Sequence, residues 1–528
     1  NKALTIKPDD AEVYNNMGIA LQRVEFRRPN QELQKTIGAL LEQNNSVRPR
    51  DIAHATISLL KFEANLQKNL AEPAVVETDQ SLQQTVIELS NLPLLLKLMS
   101  ICPLADFGLE ALLKKIRAKI LLALPSFVST SGVLKFQSAL ALQCFTNEYI
   151  YDQSASEEKA IEALEVSVEE ALFKGEQPSP KAILCLASYR ALNEYKWCNL
   201  LTDRSEIHHV FIRQVREPKL EIDLKPNIPM LEEITNEVSI KVRAQYEDNP
   251  YPRWVNLGLS LNPEPITKVV RQSKIKLFDK AICEVGEPDI LVAGCGTGQH
   301  SIGTAARFKN SDVLAIDLSL ASLAYAKRKT EERGITNIEY MQADILKLKK
   351  LDRQFDIIES AGVLHHMDNP MAGWQVLVDC LRDGGLMQVG LYSKFARQHI
   401  VEIRQEISQS GIGSSDVEMK SFRSTSIASS GAQHKSVHSW DDFYSLSELR
   451  DLLFHVQEHR FTIPRLKQCL EELGLKFCGF GNNSIVKKFS VSNARENDPY
   501  DLDKWQTYEE SNPSTFVAMY QFWCQKVA

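Results

Sequence analysis

Apolar positions follow two different rhythms along the chain. From residue 30 to about 201 they recur every three or four residues, as in Leu94, Leu95, Leu96, Leu98 and Met99 and again in Leu109, Leu112, Leu113, Ile116, Ile120 and Leu121. That spacing lines one face of an α-helix, and Pro103, Pro125, Pro178 and Pro180 supply breaks, so the stretch predicts an all-helical domain. After Pro263 the rhythm changes to short apolar runs at 289–293, 312–316, 338–342, 355–358 and 386–391, separated by helical patterns. Strands alternating with helices predict a mostly parallel sheet with helices on both faces. Ser319 and Gly334 bracket one of these helices as N-cap and C-terminal glycine. A helix at 463–473, stopped by Gly474, a strand at 475–480 and an apolar, aromatic end at 516–526 resume the pattern, the last as an antiparallel strand.

The remaining segments divide these two regions. Pro218, Pro226 and Pro229 mark a linker, and residues 408–439, rich in Ser, Gly and polar groups, read as a loop or partly ordered insertion. At the start, Pro8 precedes a helical pattern whose Tyr14, Gly18 and Ala20 occupy positions of a tetratricopeptide repeat, which the segment resembles. Because Asn1 falls inside a helix of that repeat, further repeats are expected upstream. The expected organisation is a repeat remnant at 1–22, an all-helical domain at 23–205, a linker and lid at 206–255, and an α/β domain at 256–528 with an insertion at about 408–462.

Composition narrows the function classes. A net charge of -7 gives no basic footprint for a nucleic-acid backbone. The run Lys327-Arg328-Lys329 reads as a solvated helix end, where cations complement the dipole. Ten cysteines are scattered without metal-ligand spacing and read as buried reduced thiols, and no apolar run approaches the roughly 20 residues that span a bilayer. These features lead us to expect a cytoplasmic protein with no metal and no membrane partner. His455 and His459 would share a helix face at i, i+4, but the zincin order is absent.

The chemistry concentrates where the first strand of the α/β region ends. It runs into Gly294-Cys295-Gly296-Thr297-Gly298-Gln299, a glycine turn at the mouth of a helix. Glycines allow positive φ and close ligand approach, while the helix N-terminus offers unpaired N–H groups. A dinucleotide fold would place Gly where Gln299 stands. Asp317, followed by Leu318, closes the second strand roughly 20 residues on, where a carboxylate can accept from both ribose hydroxyls. Asp344 and Ile345 close the third, and the fourth leads into Glu359-Ser360, followed by Ala361-Gly362-Val363-Leu364-His365-His366. Gly294, Cys295, Gly296, Gly298, Gln299, Asp317, Leu318, Asp344, Ile345, Glu359 and Ser360 are therefore the candidate cofactor residues.

Taken with the Gly-x-Gly-x-Gly spacing, these residues resemble class I S-adenosylmethionine-dependent methyltransferases. The resemblance implies a Rossmann-like, seven-stranded, mostly parallel sheet behind an all-α domain, with S-adenosylmethionine as cofactor and Asp344 on the adenine amino group. The aromatic stretch Gln245 to Trp254, with Gly390-Leu391-Tyr392-Ser393, is similar to bacterial tetratricopeptide-repeat methyltransferases and is identified as the lid. Tyr246 and Tyr251 there, with His365 or His366 as a general base, are the candidate catalytic residues. Segments typical of nucleic-acid base methylation are absent, and the paired glutamates of arginine methylation are incomplete. A protein or peptide side chain is the expected acceptor, because repeat helices hold extended peptides. A small molecule, or a scaffold that binds the cofactor without turnover, is the alternative.

Overall fold

The computed structural model describes residues 11–22, 24–43, 47–71, 78–259, 262–429, 431–492, 498–517 and 519–527. They form two compact units. One comprises 1–220, 253–259 and 410–452, the other 221–252, 260–409 and 453–528.

The second unit is built on a seven-stranded sheet. Its strands are β1 (Asp289–Ala293), β2 (Asp312–Asp317), β3 (Ile338–Gln342), β4 (Phe355–Ala361), β5 (Leu381–Tyr392), β6 (Leu475–Phe480) and β7 (Met519–Lys526). Their order is β3-β2-β1-β4-β5-β7-β6, parallel from β3 to β5, with β7 antiparallel to both its neighbours. Helices cover both faces, so β1 is apolar at every interior position: Ile290 and Val292 join one core, Leu291 and Ala293 the other. Trp374 and Trp505 are fully buried in the second of these cores.

Two strands are longer than the apolar pattern predicts. β4 continues through Glu359 and Ser360, which pair with Gln388 and Val389 of β5 and are fully buried. β5 starts at Leu381, ahead of the apolar run, and Gly384-Gly385 lies where the register between β4 and β5 shifts. The run Lys327-Arg328-Lys329 is a correction: Arg328 and Lys329 are only 3% and 4% exposed, with Arg328 bonded to Glu221 and Lys329 to Glu332. Charge pattern alone cannot show that acidic partners cover a helix end.

The first unit is helical from Ala11–Leu21 to the π-turn at Ile212–Arg216. Residues 1–10, and with them Pro8, lie outside the described residues. Residues 416–428 and 432–438 are helices where the polar composition predicts a loop. Ser415 and Glu418 form a capping box there, and Arg423 makes a buried bidentate ion pair with Glu110 at 2.6 and 2.7 Å.

Candidate active site

The carboxyl ends of β1 to β5 converge where strand order reverses, between β1 and β4, the place where open α/β sheets bind ligands. Gly294 and Gly296 have φ of +77° and +52°. A Cβ on Gly294 would lie 2.2 Å from Cγ2 of Val363, and one on Gly296 2.8 Å from the carbonyl oxygen of Tyr251, so no other residue fits this turn.

The acids close around the turn. Asp317 accepts from the backbone N–H of Gly296 at 2.8 Å and of Ser319 at 3.0 Å, one on each oxygen. Burial pushes its pKa up against these two bonds, and each oxygen keeps a lone pair for a further donor. Asp344, 3% exposed, accepts from Leu346 N–H on Oδ1, while its buried Oδ2 has no partner. An orphaned buried carboxylate oxygen fits an amino donor, which adenine supplies, and the free lone pairs of Asp317 fit ribose hydroxyls. The residues present therefore suit S-adenosylmethionine. Leu318 and Ile345 flank the two acids, and Gln299 opens the helix with its Nε2 buried and unpartnered.

Glu359 and Ser360 sit within β4 itself. The carboxylate of Glu359 accepts from His300 Nε2 at 2.8 Å, from Thr304 and from Arg307, all on the helix that follows the turn. Burial would raise its pKa, but Arg307, then His300 and Thr304, outweigh it and hold the group at about 2. Ser360 Oγ is buried without a partner.

The segment ahead of the sheet closes over the turn. Ser319 Oγ donates to the carbonyl of Tyr246 at 3.0 Å, Ala321 N–H to the carboxylate of Glu247 at 3.0 Å, and Thr297 Oγ1 to the carbonyl of Pro252. Glu247 thus sits on the N-terminus of the Leu320–Glu331 helix, where an anion is favoured. Tyr246 and Tyr251 stack at 6.3 Å in this segment.

The two histidines after β4 join this segment through His455. The His366 ring stacks on His455 at 3.6 Å, and His455 Nε2 lies 3.2 Å from the hydroxyl of Tyr246. His365 stacks on Tyr392 at 3.7 Å and contacts His366 at 4.3 Å. The structure thus brings Tyr246, Tyr251, His365 and His366 into one cluster and adds His455, Tyr392 and the buried Arg397–Glu458 pair at 2.8 Å. His455 and His459 do not share a helix face: the helical turn ends at Phe454, and 455–460 is extended or bent chain whose His459 N–H bonds the His365 carbonyl. Sequence periodicity missed this because Phe454 to Arg460 has no breaker residue.

Hydrogen bonds set the ring tautomers. His366 Nδ1 lies 2.7 Å from the Gln457 carbonyl, which can only accept, so Nδ1 carries a proton. His455 Nδ1 accepts from Gln457 N–H at 3.2 Å, so its Nε2–H donates to Tyr246. Burial, with His366 and Arg404 adding to it, holds His455 at about 2, and burial with His366 and Arg397 keeps His365 well below the ordinary value.

A pH dependence follows. His455 is neutral in the fold, whereas in the unfolded chain it gains a proton below about 6.5. Its contribution is therefore intact above pH 6.5 and lost as pH falls, at about 1.4 kcal/mol per unit. His455→Phe is expected to reduce the slope of stability between pH 6 and pH 4 by about that amount. Urea unfolding at three pH values measures it, and an unchanged slope would show that His455 is not buried neutral.

A family model described as methyltransferase domain matches residues 290–385. An uncharacterized protein of Synechococcus sp. is 28% identical over 236 residues, 43% of this chain and 57% of that protein. A malonyl-[acyl-carrier protein] O-methyltransferase of Paenibacillus sp. is 28% identical over 125 residues, 23% of this chain and 44% of that one. The chain thus spans about half the length of the curated relatives it matches. Among solved structures, PKMT2 from Rickettsia typhi is similar at 16% identity with a TM-score of 0.36, over 45% of this chain and 49% of that one. Among the described residues no helix is long and apolar enough to cross a membrane. The glycine turn, the two acids and the strand order, together with the family match, make residues 290–385 part of a class I S-adenosylmethionine-dependent methyltransferase domain whose cofactor is S-adenosylmethionine.

Proposed function

We propose that the chain methylates a protein or peptide side chain at the cluster formed by Tyr246, His366 and His455. The observation that carries the reading is the 3.2 Å contact that ties the lid tyrosine to the histidine stack, at the carboxyl end of the strands that hold the cofactor residues. Bound S-adenosylmethionine supplies an electrophilic methyl group on a sulfonium. The protein positions the acceptor and takes its proton.

His366 suits the proton-accepting role, since the Gln457 carbonyl holds its Nδ1–H and so assigns the base function to Nε2. His365, fully buried and held neutral, serves as a flat wall against Tyr392. His455 donates to Tyr246 and so orients its hydroxyl, with Tyr251 stacked behind it. Asp317 and Asp344 hold ribose and adenine. Gly294, Cys295, Gly296, Gly298 and Gln299 cradle the rest of the cofactor, with Leu318, Ile345 and Ser360 as its walls. Glu359 acts on the cofactor through the helix it anchors at His300 and Arg307. A protein acceptor is favoured because the chain carries a second, helical unit, and repeat helices take extended peptides.

His366→Gln is expected to lower turnover about a hundredfold, the small end of general-base effects, and to leave cofactor affinity unchanged. Full turnover in the variant would remove His366 from the reaction. The acceptor class is tested by incubating the full chain with cell extract and isotopically labelled S-adenosylmethionine. Label in the protein fraction is expected. Label confined to low-mass compounds would make the acceptor a small molecule, and no transfer at all would leave a cofactor-binding scaffold.

A further inference from the structure

Beside the histidine stack lies a group of arginines that the methyl-transfer chemistry leaves unused. Arg397, 2% exposed, is bonded to Glu458 at 2.8 Å, and its guanidinium carbon lies 3.7 Å from the centre of the Tyr392 ring. Arg460 approaches the same Glu458 at 3.8 Å. Arg404 donates from Nη2 to the His455 carbonyl at 2.7 Å, while its Nη1 is buried without a hydrogen-bond partner. Arg397 and Arg460 thus share the carboxylate of Glu458, Arg404 stands within its field without pairing to it, and the histidines among them add no negative charge.

This arrangement is costly unless something else enters it. A guanidinium cannot shed its proton, so Arg404 carries its charge into a half-buried site that already holds Arg397 and Arg460. Burial and these two neighbours all disfavour that charge, and Glu458 offsets only part of it. A buried N–H without an acceptor adds a further cost. Both costs vanish when an oxyanion accepts from Nη1, and the position of Arg404 against the His455 backbone puts that oxyanion next to the His366–His455 stack and Tyr392.

We infer that the acceptor peptide presents a carboxylate side chain to Arg404, flanked by Arg397 and Arg460, next to the atom that is methylated. The inference rests on the proposed function for the location of the acceptor site, and it adds the acceptor's charge. Arg404 is on this view a specificity residue: it binds the acceptor and does not contact the cofactor.

Calorimetry on the full chain tests it with acetyl-glutamate-amide, the isosteric acetyl-glutamine-amide and inorganic phosphate, each at ionic strength fixed with chloride and with S-adenosylhomocysteine present. The glutamate compound is expected to bind at one saturable site at least about tenfold more tightly than the glutamine compound. Arg404→Gln is expected to remove that difference while its affinity for S-adenosylhomocysteine stays at the wild-type value, which also shows that the variant is folded. Should Arg404→Gln fail to fold, Arg460→Gln, at the exposed rim, is expected to weaken glutamate binding at least threefold. Tighter binding of phosphate than of the glutamate compound would overturn the carboxylate in favour of a phosphorylated acceptor. Equal binding of the glutamate and glutamine compounds, or a glutamate preference that survives Arg404→Gln, would overturn the site itself. Failure of the wild-type chain to bind S-adenosylhomocysteine would instead strike the methyltransferase reading, so the two failures are distinct.

Discussion

Replacing Asp317 by Ala is expected to weaken binding of S-adenosylhomocysteine at least about a hundredfold. In the proposed function the carboxylate accepts from two ribose hydroxyls, and bonds to a charged acceptor are worth about 1.5–3 kcal/mol each. The same oxygens accept from Gly296 and Ser319. Their loss leaves two backbone N–H groups of the seat without acceptors, so the turn is loosened as well. Calorimetry reads the change directly, and an affinity within about threefold of wild type would mean that Asp317 only caps the turn.

The second large effect concerns stability. Glu359 is fully buried, and its removal leaves His300 and Arg307 facing an apolar hole at the root of the glycine turn. Unpairing a buried ion costs about 3–5 kcal/mol, and since the Arg307 side chain is 35% exposed, water relieves part of this. Glu359→Ala is therefore expected to cost about 3 kcal/mol, roughly 6–12 °C in melting temperature for a domain of this size. Glu359→Gln keeps an acceptor for Thr304 and should lose less. If both variants melt with the wild type, the ion pair does not hold the helix.

Much of this site is legible in the sequence, and particular residues show why. The spacing of Gly294, Gly296 and Gly298 after an apolar run, with Asp317 and Asp344 closing the next two strands, encodes local geometry: a turn and two strand ends. Strand periodicity carries that information without any knowledge of the fold. The lid is partly legible, since its aromatics stand out, but its attachment through Ser319 and Glu247 depends on contacts some 70 residues apart. Least legible is the histidine stack. His455 meets His366 only because the chain leaves its helix at Phe454 and crosses to the end of β5, where Lys394 N–H bonds the Phe461 carbonyl. Neither apolar rhythm nor motif spacing records such a crossing. The role of Glu359 was hidden for a similar reason: a Glu at a strand end looks like a ligand contact, and its partners His300 and Arg307 become visible only when the helix is folded back onto β4.

What occupies the glycine turn is tested most directly by thermal unfolding of the full chain with competing cofactors. S-adenosylmethionine at about 100 times its dissociation constant should add about 2.7 kcal/mol of stability, whereas nicotinamide dinucleotides should add nothing. Stabilisation by the dinucleotide and not by S-adenosylmethionine would contradict the account.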